Sequence, residues 1–144
     1  MESTQHLLNE LILIKERREG LLGRFNGFVE EILAVLKVDE RLAGIELINN
    51  GDNSLNIRYL DRELFAKFSL LIDRDGNGNG VITCYKVCSI PDHEYKQIHS
   101  FHFDSQGRAD IPPVEGRGLY EIYNRVDALN ILFYWLRISF NENS

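Results

Sequence analysis

The last quarter of the chain constrains its fold most. Leu119, Ile122, Val126, Leu129, Phe133, Leu136 and Phe140 recur at alternating spacings of three and four, which lines their side chains along one stripe of a helix. A second apolar line, Ala128, Ile131, Trp135 and Ile138, runs beside the first. One packed face cannot bury both lines. Either a sheet wraps this C-terminal helix widely, or a second molecule covers what the sheet leaves exposed. The residues expected to meet that molecule are Ile131, Tyr134, Trp135, Arg137 and Ile138, aromatic, apolar and arginine side chains of the kind that dominate interfaces.

The N-terminus carries a second helical pattern. Ser3 or Thr4 can cap a helix bearing Leu7, Leu8, Leu11, Ile12 and Ile14, which runs on through Leu22, Phe25, Val29, Ile32 and Leu36. Lys15 and Arg18 interrupt the stripe between its halves, and Gly20, Gly23 and Gly27 each weaken helix propensity by about 1 kcal/mol relative to alanine. A break near Gly20 is therefore expected. Were the helix continuous, the three glycines would line one face and admit another backbone.

After Asp39 the apolar period changes from about 3.6 to 2. Ala43, Ile45 and Leu47 read as a first strand, Leu55, Ile57 and Tyr59 as a second, and Leu64, Ala66, Phe68, Leu70 and Ile72 as a third, with turns at residues 49–54 and at Asp61 and Arg62. Residues 81–90 make a fourth strand and, after Pro91, Asp92 and His93, residues 95–103 make a fifth. Residues 104–118, with Gly107, Pro112, Pro113, Gly116 and Gly118, read as an irregular crossing, and the last helix then starts near Leu119. The expected fold class is α+β. One domain over residues 1–144 has an N-terminal helix, a five-stranded antiparallel meander and a C-terminal helix packed on one sheet face.

Twenty-two acidic against sixteen basic residues leave a net charge of −6, which favours basic or neutral partners and argues against nucleic acid and anionic lipid. No export signal is recognisable, and no run approaches the roughly 20 apolar residues of a membrane span. Cys84 and Cys88 lie four positions apart on one strand, a separation of roughly 13 Å that no disulfide spans. Two free thiols point to a reducing cytoplasm.

Several short patterns invite chemistry and fall short of it. Residues 73–80, Asp-Arg-Asp-Gly-Asn-Gly-Asn-Gly, begin like a calcium loop, yet position 12 is Cys84 where a glutamate is needed, so a glycine-rich hairpin tip is expected instead. His93, His99, His102 and Asp104 are separated by strand geometry, with His99 on the face of Phe101 and Phe103, and no metal site is expected. Lys86 lies between the two cysteines, but buried inert thiols are the simpler reading. Lys15, Arg17, Arg18 and Arg24 form the only basic cluster, diluted by Glu16 and Glu19. Gly20-Leu-Leu-Gly23 outlines a GXXG loop without its polar middle.

No nucleophile elbow, zinc-protease helix or Walker loop is present. The leading expectation is thus a non-catalytic protein-binding domain of adaptor, chaperone or neutralising type, without cofactor. It acts through its C-terminal helix on another protein or on a second copy of itself. The alternative is a small-molecule-binding protein or small enzyme with a pocket between sheet and last helix, where His99, Asp104 and Tyr123 are the candidate polar groups.

Overall fold

A computed structural model describes residues 3–51, 53–88, 93–111 and 120–141. Helix α1 (Thr4–Val38) is followed by a 3-10 turn (Glu40–Leu42) and by strands β1 (Ile45–Asn49), β2 (Ser54–Tyr59), β3 (Arg62–Ile72), β4 (Gly78–Cys88), β5 (Glu94–Phe103), β6 (Arg108–Ala109) and β7 (Tyr120–Glu121). Helix α2 (Arg125–Ser139) closes the chain. The strands form one antiparallel sheet in sequence order, each paired with the next. The meander is therefore seven strands long, not five. The two additional strands are two-residue ladders, too short to carry an alternation. The expected turn at Pro91 and Asp92, and the expected helix start at Gly118 and Leu119, lie outside the described residues.

One sheet face holds Leu55, Ile57, Leu64, Ala66, Phe68, Ile82, Cys84, Phe101 and Phe103, all buried beneath both helices. These residues alternate along their strands as the period-2 pattern requires. Gly80 sits directly across from Phe103 on the neighbouring strand, and a Cβ at Gly80 would fall inside the Phe103 ring. Glycine is the residue that lets the ring lie flat over the strand.

Helix α1 is unbroken through Gly20, Gly23 and Gly27, which corrects the expected break. The balance of magnitudes explains it. Three glycines cost about 3 kcal/mol in propensity, whereas Leu21, Phe25, Phe28, Val29, Ile32 and Val35 are all buried, at about 1.5–3 kcal/mol each. A Cβ at Gly20 or Gly23 would have no neighbour within 4 Å. Gly20→Ala and Gly23→Ala are therefore expected to stabilise the fold by about 0.5–1 kcal/mol each, read as a higher urea midpoint with an unchanged slope.

Helix α2 starts at Arg125, not near Leu119, because the Asn124 carboxamide accepts the backbone N–H groups of Val126 and Asp127 at 3.0 and 3.2 Å and caps it there. Its buried face is Asp127, Ala128, Ile131, Leu132, Trp135, Leu136 and Ser139. Val126 and Phe133, from the stripe expected to meet the sheet, are 57% and 40% exposed. The helix is thus turned by roughly a third of a revolution from the expected orientation, and the expected surplus at Ile131 and Trp135 is absent: they are 2% and 0% exposed.

Trp135 decides that rotation. It is the chain's one tryptophan, and its indole N–H requires an acceptor once buried. Only the inner face offers both rings and that acceptor: Phe28 stacks edge-on at 5.8 Å, Phe101 lies at 6.4 Å, and His99 Nδ1 takes the N–H at 2.9 Å. Two polar residues are carried inside with it. Asp127 Oδ2 accepts the Glu121 N–H at 2.9 Å, and the Ser139 hydroxyl donates to the Leu136 carbonyl at 2.6 Å. The Arg125–Glu31 ion pair, at 2.9 Å, ties the start of α2 to α1.

Candidate protein interface and adjoining cleft

The N-terminal half of α1 is the least covered element of the fold. From residue 4 to residue 20 every side chain except Ile14 is exposed, and Leu7, Leu8, Leu11, Ile12 and Leu13 are each between 46% and 63% exposed. Local contacts hold this half helical. The Ser3 hydroxyl accepts the His6 N–H at 3.2 Å, Gln5 bonds Asn9 at 3.1 Å, and His6 meets Glu10 at 3.3 Å, one turn on. Continuity with the packed half supplies the nucleus that an isolated segment of this length would lack.

Where α1 reaches the domain, its basic cluster disperses. Arg17 lies along the tip of the β3–β4 hairpin, within 3.6 Å of where a Cβ on Gly76 would be. Arg18 sits 5.9 Å above the Phe68 ring. Arg24 donates to the Ser105 carbonyl at 3.2 Å and stands 5.0 Å over the Tyr123 ring. Between α1, this hairpin tip and the β5–β6 turn lies an open cleft of about 740 Å³, lined by Arg17, Gly20, Leu21, Gly23, Arg24, Asn77, Gly78, Asn79, Asp104 and Ser105. Gly20 and Gly23 are helical there, so their spacing does not make a GXXG loop.

The acidic tip beside the cleft is a hairpin turn. Asp73 Oδ1 accepts the N–H groups of Asp75 and Asn77, both at 2.9 Å, and Gly76 adopts a φ of +82°. The carboxylate is occupied by backbone donors, as a turn of this kind requires. Among the described residues no group of three or more His, Cys, Asp or Glu side chains is placed to hold a metal ion.

The candidate polar trio does not converge. Asp104 lines the cleft, pairs with Arg108 at 3.0 Å and accepts the Gln106 and Arg108 N–H groups. Tyr123 stands beside the cleft through Arg24. His99 is elsewhere, half-buried between Trp135 and Tyr134, whose ring lies 5.0 Å away edge-on. Cys84 is buried, and burial pushes its thiol well above the ordinary value, which makes it a poor nucleophile. Cys88 is half-buried and also free.

Burial lowers the His99 pKa below the ordinary 6.5, opposed by the negative charge of Asp110. Protonation at Nδ1 would also remove the acceptor of the Trp135 N–H. Above about pH 6.5 the imidazole is neutral in both folded and unfolded chains; as pH falls through that value only the unfolded chain gains the proton. Stability is expected to drop over that interval until the folded-state pKa is reached. The urea midpoint should therefore be lower at about pH 5.5 than at about pH 7.5. His99→Gln should shrink the difference.

Of the residues expected to meet a partner, Ile131 and Trp135 are internal, Ile138 is half-buried, and Tyr134 and Arg137 are exposed, with the guanidinium 5.7 Å from the tyrosine ring. Val126, Phe133 and Phe140 join them on the outer side of α2. Two further groupings, the first only partly exposed, are not evident from the sequence. On the sheet face away from the helices, Phe65, Tyr85 and Tyr95 cluster with centroids 5.7–6.4 Å apart. Residues 7–13 of α1 were legible as apolar but not as uncovered; the signal was Lys15 and Arg18, charges standing where the sheet would otherwise continue.

Among the described residues no helix is long and apolar enough to cross a membrane. The chain matches no protein-family model, no curated protein and no solved structure.

Proposed function

We propose that this chain is a non-catalytic protein-binding domain, of adaptor, chaperone or neutralising type, that works by covering exposed apolar helix surface with another polypeptide. The observation that carries the reading is the group of five large aliphatic side chains within two turns of the projecting half of α1, each close to half exposed or more, far beyond the scattered single residues usual on a soluble surface. The outer side of α2, with Phe133, Tyr134, Arg137 and Phe140, is the second contributor. His99, Asp104 and Tyr123 do not come together: His99 serves Trp135, and Asp104 is paired with Arg108. A net charge of −6 would steer basic targets, and two free cysteines fit a reducing cytoplasm.

The test is recovery of the tagged chain from its native host, with identification of what accompanies it. A polypeptide in fixed ratio that is lost from a Leu7→Asp/Leu11→Asp variant or from Phe133→Asp supports the reading. Recovery of a metabolite and no polypeptide overturns it. One observation favours a second reading, binding of a small anionic molecule: the cleft presents Arg17 and Arg24 around an open volume of about 740 Å³. That reading expects inorganic phosphate or a nucleotide to raise the melting temperature, an effect removed by Arg17→Ala. No shift with either probe eliminates it.

A further inference from the structure

We propose that two copies of this chain pair antiparallel through the projecting half of α1, residues 4–20; the proposal rests on the protein-binding reading and names the partner. Leu7, Leu11, Ile14, Arg18, Leu21, Phe25, Phe28, Ile32 and Val35 follow one another at alternating steps of four and three. That spacing is a coiled-coil repeat interrupted by the charge of Arg18, and the drift of about 20° per heptad turns Leu7 by about 40° from Leu21, two heptads on, so the two lie on one side of the helix. The chain's own core covers the seam from Leu21 onward. Leu7 and Leu11, with Ile14 half-covered, continue the same line past the end of the sheet, and Leu8 and Ile12 widen it.

The geometry selects the direction of pairing. Both copies carry their sheet under the seam from Leu21 onward, so parallel helices would force two sheets into the space between them. Antiparallel helices place each domain beside the start of the other's helix, with Leu11 against the partner's Ile14 and Leu7 against the partner's Arg18. The charges agree with this arrangement. Glu10 and Arg17 flank the same edge of the seam, one heptad apart, and the two-fold brings Glu10 beside the partner's Arg17, the pairing that sets orientation in coiled coils.

The area is of the right order. Leu7, Leu8, Leu11 and Ile12, at 46–63% exposure, offer about 350 Å² of apolar surface per copy, so a polar rim has to supply about a third of the roughly 1,000 Å² of a specific interface. A lipid surface fits less well. Residues 4–20 carry three acidic and three basic side chains, without the basic excess of helices that lie on membranes.

Sedimentation velocity on the full chain, from micromolar to near-millimolar concentration, is the test. The unaltered chain should run with the mass of two chains. Leu7→Asp/Leu11→Asp should run as one, with unchanged circular dichroism and an apparent dissociation constant raised at least about 100-fold. Glu10→Lys or Arg17→Glu alone should raise the constant about tenfold, and the two together in one chain should restore it. A single-chain mass at all concentrations overturns the proposal, as does a dimer that survives Leu7→Asp/Leu11→Asp. A dimer dissociated only by Phe133→Asp overturns it too, but leaves the protein-binding reading intact, since that reading fails only if no polypeptide is recovered from the host.

Discussion

Trp135→Ala is expected to destabilise the fold by about 3–5 kcal/mol, the range for removing a large aromatic side chain from a packed core. Three contacts go at once. Trp135 is 0% exposed, with Phe28 edge-on at 5.8 Å and Phe101 at 6.4 Å. Its N–H also satisfies His99 Nδ1 at 2.9 Å, and the orphaned nitrogen adds a desolvation cost. The site is where α1, α2 and β5 meet, so partial collapse around the cavity would have to move a helix. Trp135→Phe keeps a ring and loses the donor, and should cost less than half as much. Urea unfolding followed by far-ultraviolet circular dichroism measures both, since the variants carry no tryptophan to report fluorescence. A loss below about 1 kcal/mol for Trp135→Ala would mean that the helix is not anchored there.

Gly80→Val is expected to cost about 3 kcal/mol, at the upper end for overpacking a filled core. The added side chain would occupy the place of the Phe103 ring. That ring is 1% exposed and also packs against Phe68 at 6.1 Å. It has no free side to swing into, so the strand or the ring must be displaced. The diagnostic is a double variant. Phe103→Leu alone destabilises by opening space, but combined with Gly80→Val it should recover part of the loss, giving a coupling of about 1 kcal/mol or more in the stabilising direction. Strictly additive losses would mean that the two residues do not share one space.

Both substitutions probe features that the sequence leaves least visible. The strands were legible because alternation and burial are the same fact in a sheet with one dry face: Leu55, Ile57, Leu64, Ala66 and Phe68 are the alternating apolar positions and are buried. The rotation of α2 was not legible. A spacing of three and four fits Val126, Leu129, Phe133, Leu136 and Phe140 as well as a core stripe requires, and counting apolar positions gives a valine the weight of a tryptophan. Asp127 and Ser139 are polar, and their places inside depend on the Glu121 N–H and the Leu136 carbonyl, partners known only once the chain is folded. Of the candidate pocket, Asp104 lines the cleft, Tyr123 stands beside it under Arg24, and His99 is elsewhere. Strand parity places a residue on a face but does not say which helix covers it.

The sequence by itself determined the succession of helix, antiparallel strands and helix, the apolar alternation of the central strands and the glycine-rich hairpin tip, since all of these follow from periods and turn chemistry within a few residues. Only the tertiary structure decided that α1 continues through its glycines, which face of α2 is dry and which apolar residues stay wet. Those outcomes are set by competition between distant surfaces for the same sheet. The largest ring with a donor to satisfy took the interior, and the sheet ended before the first three turns of α1.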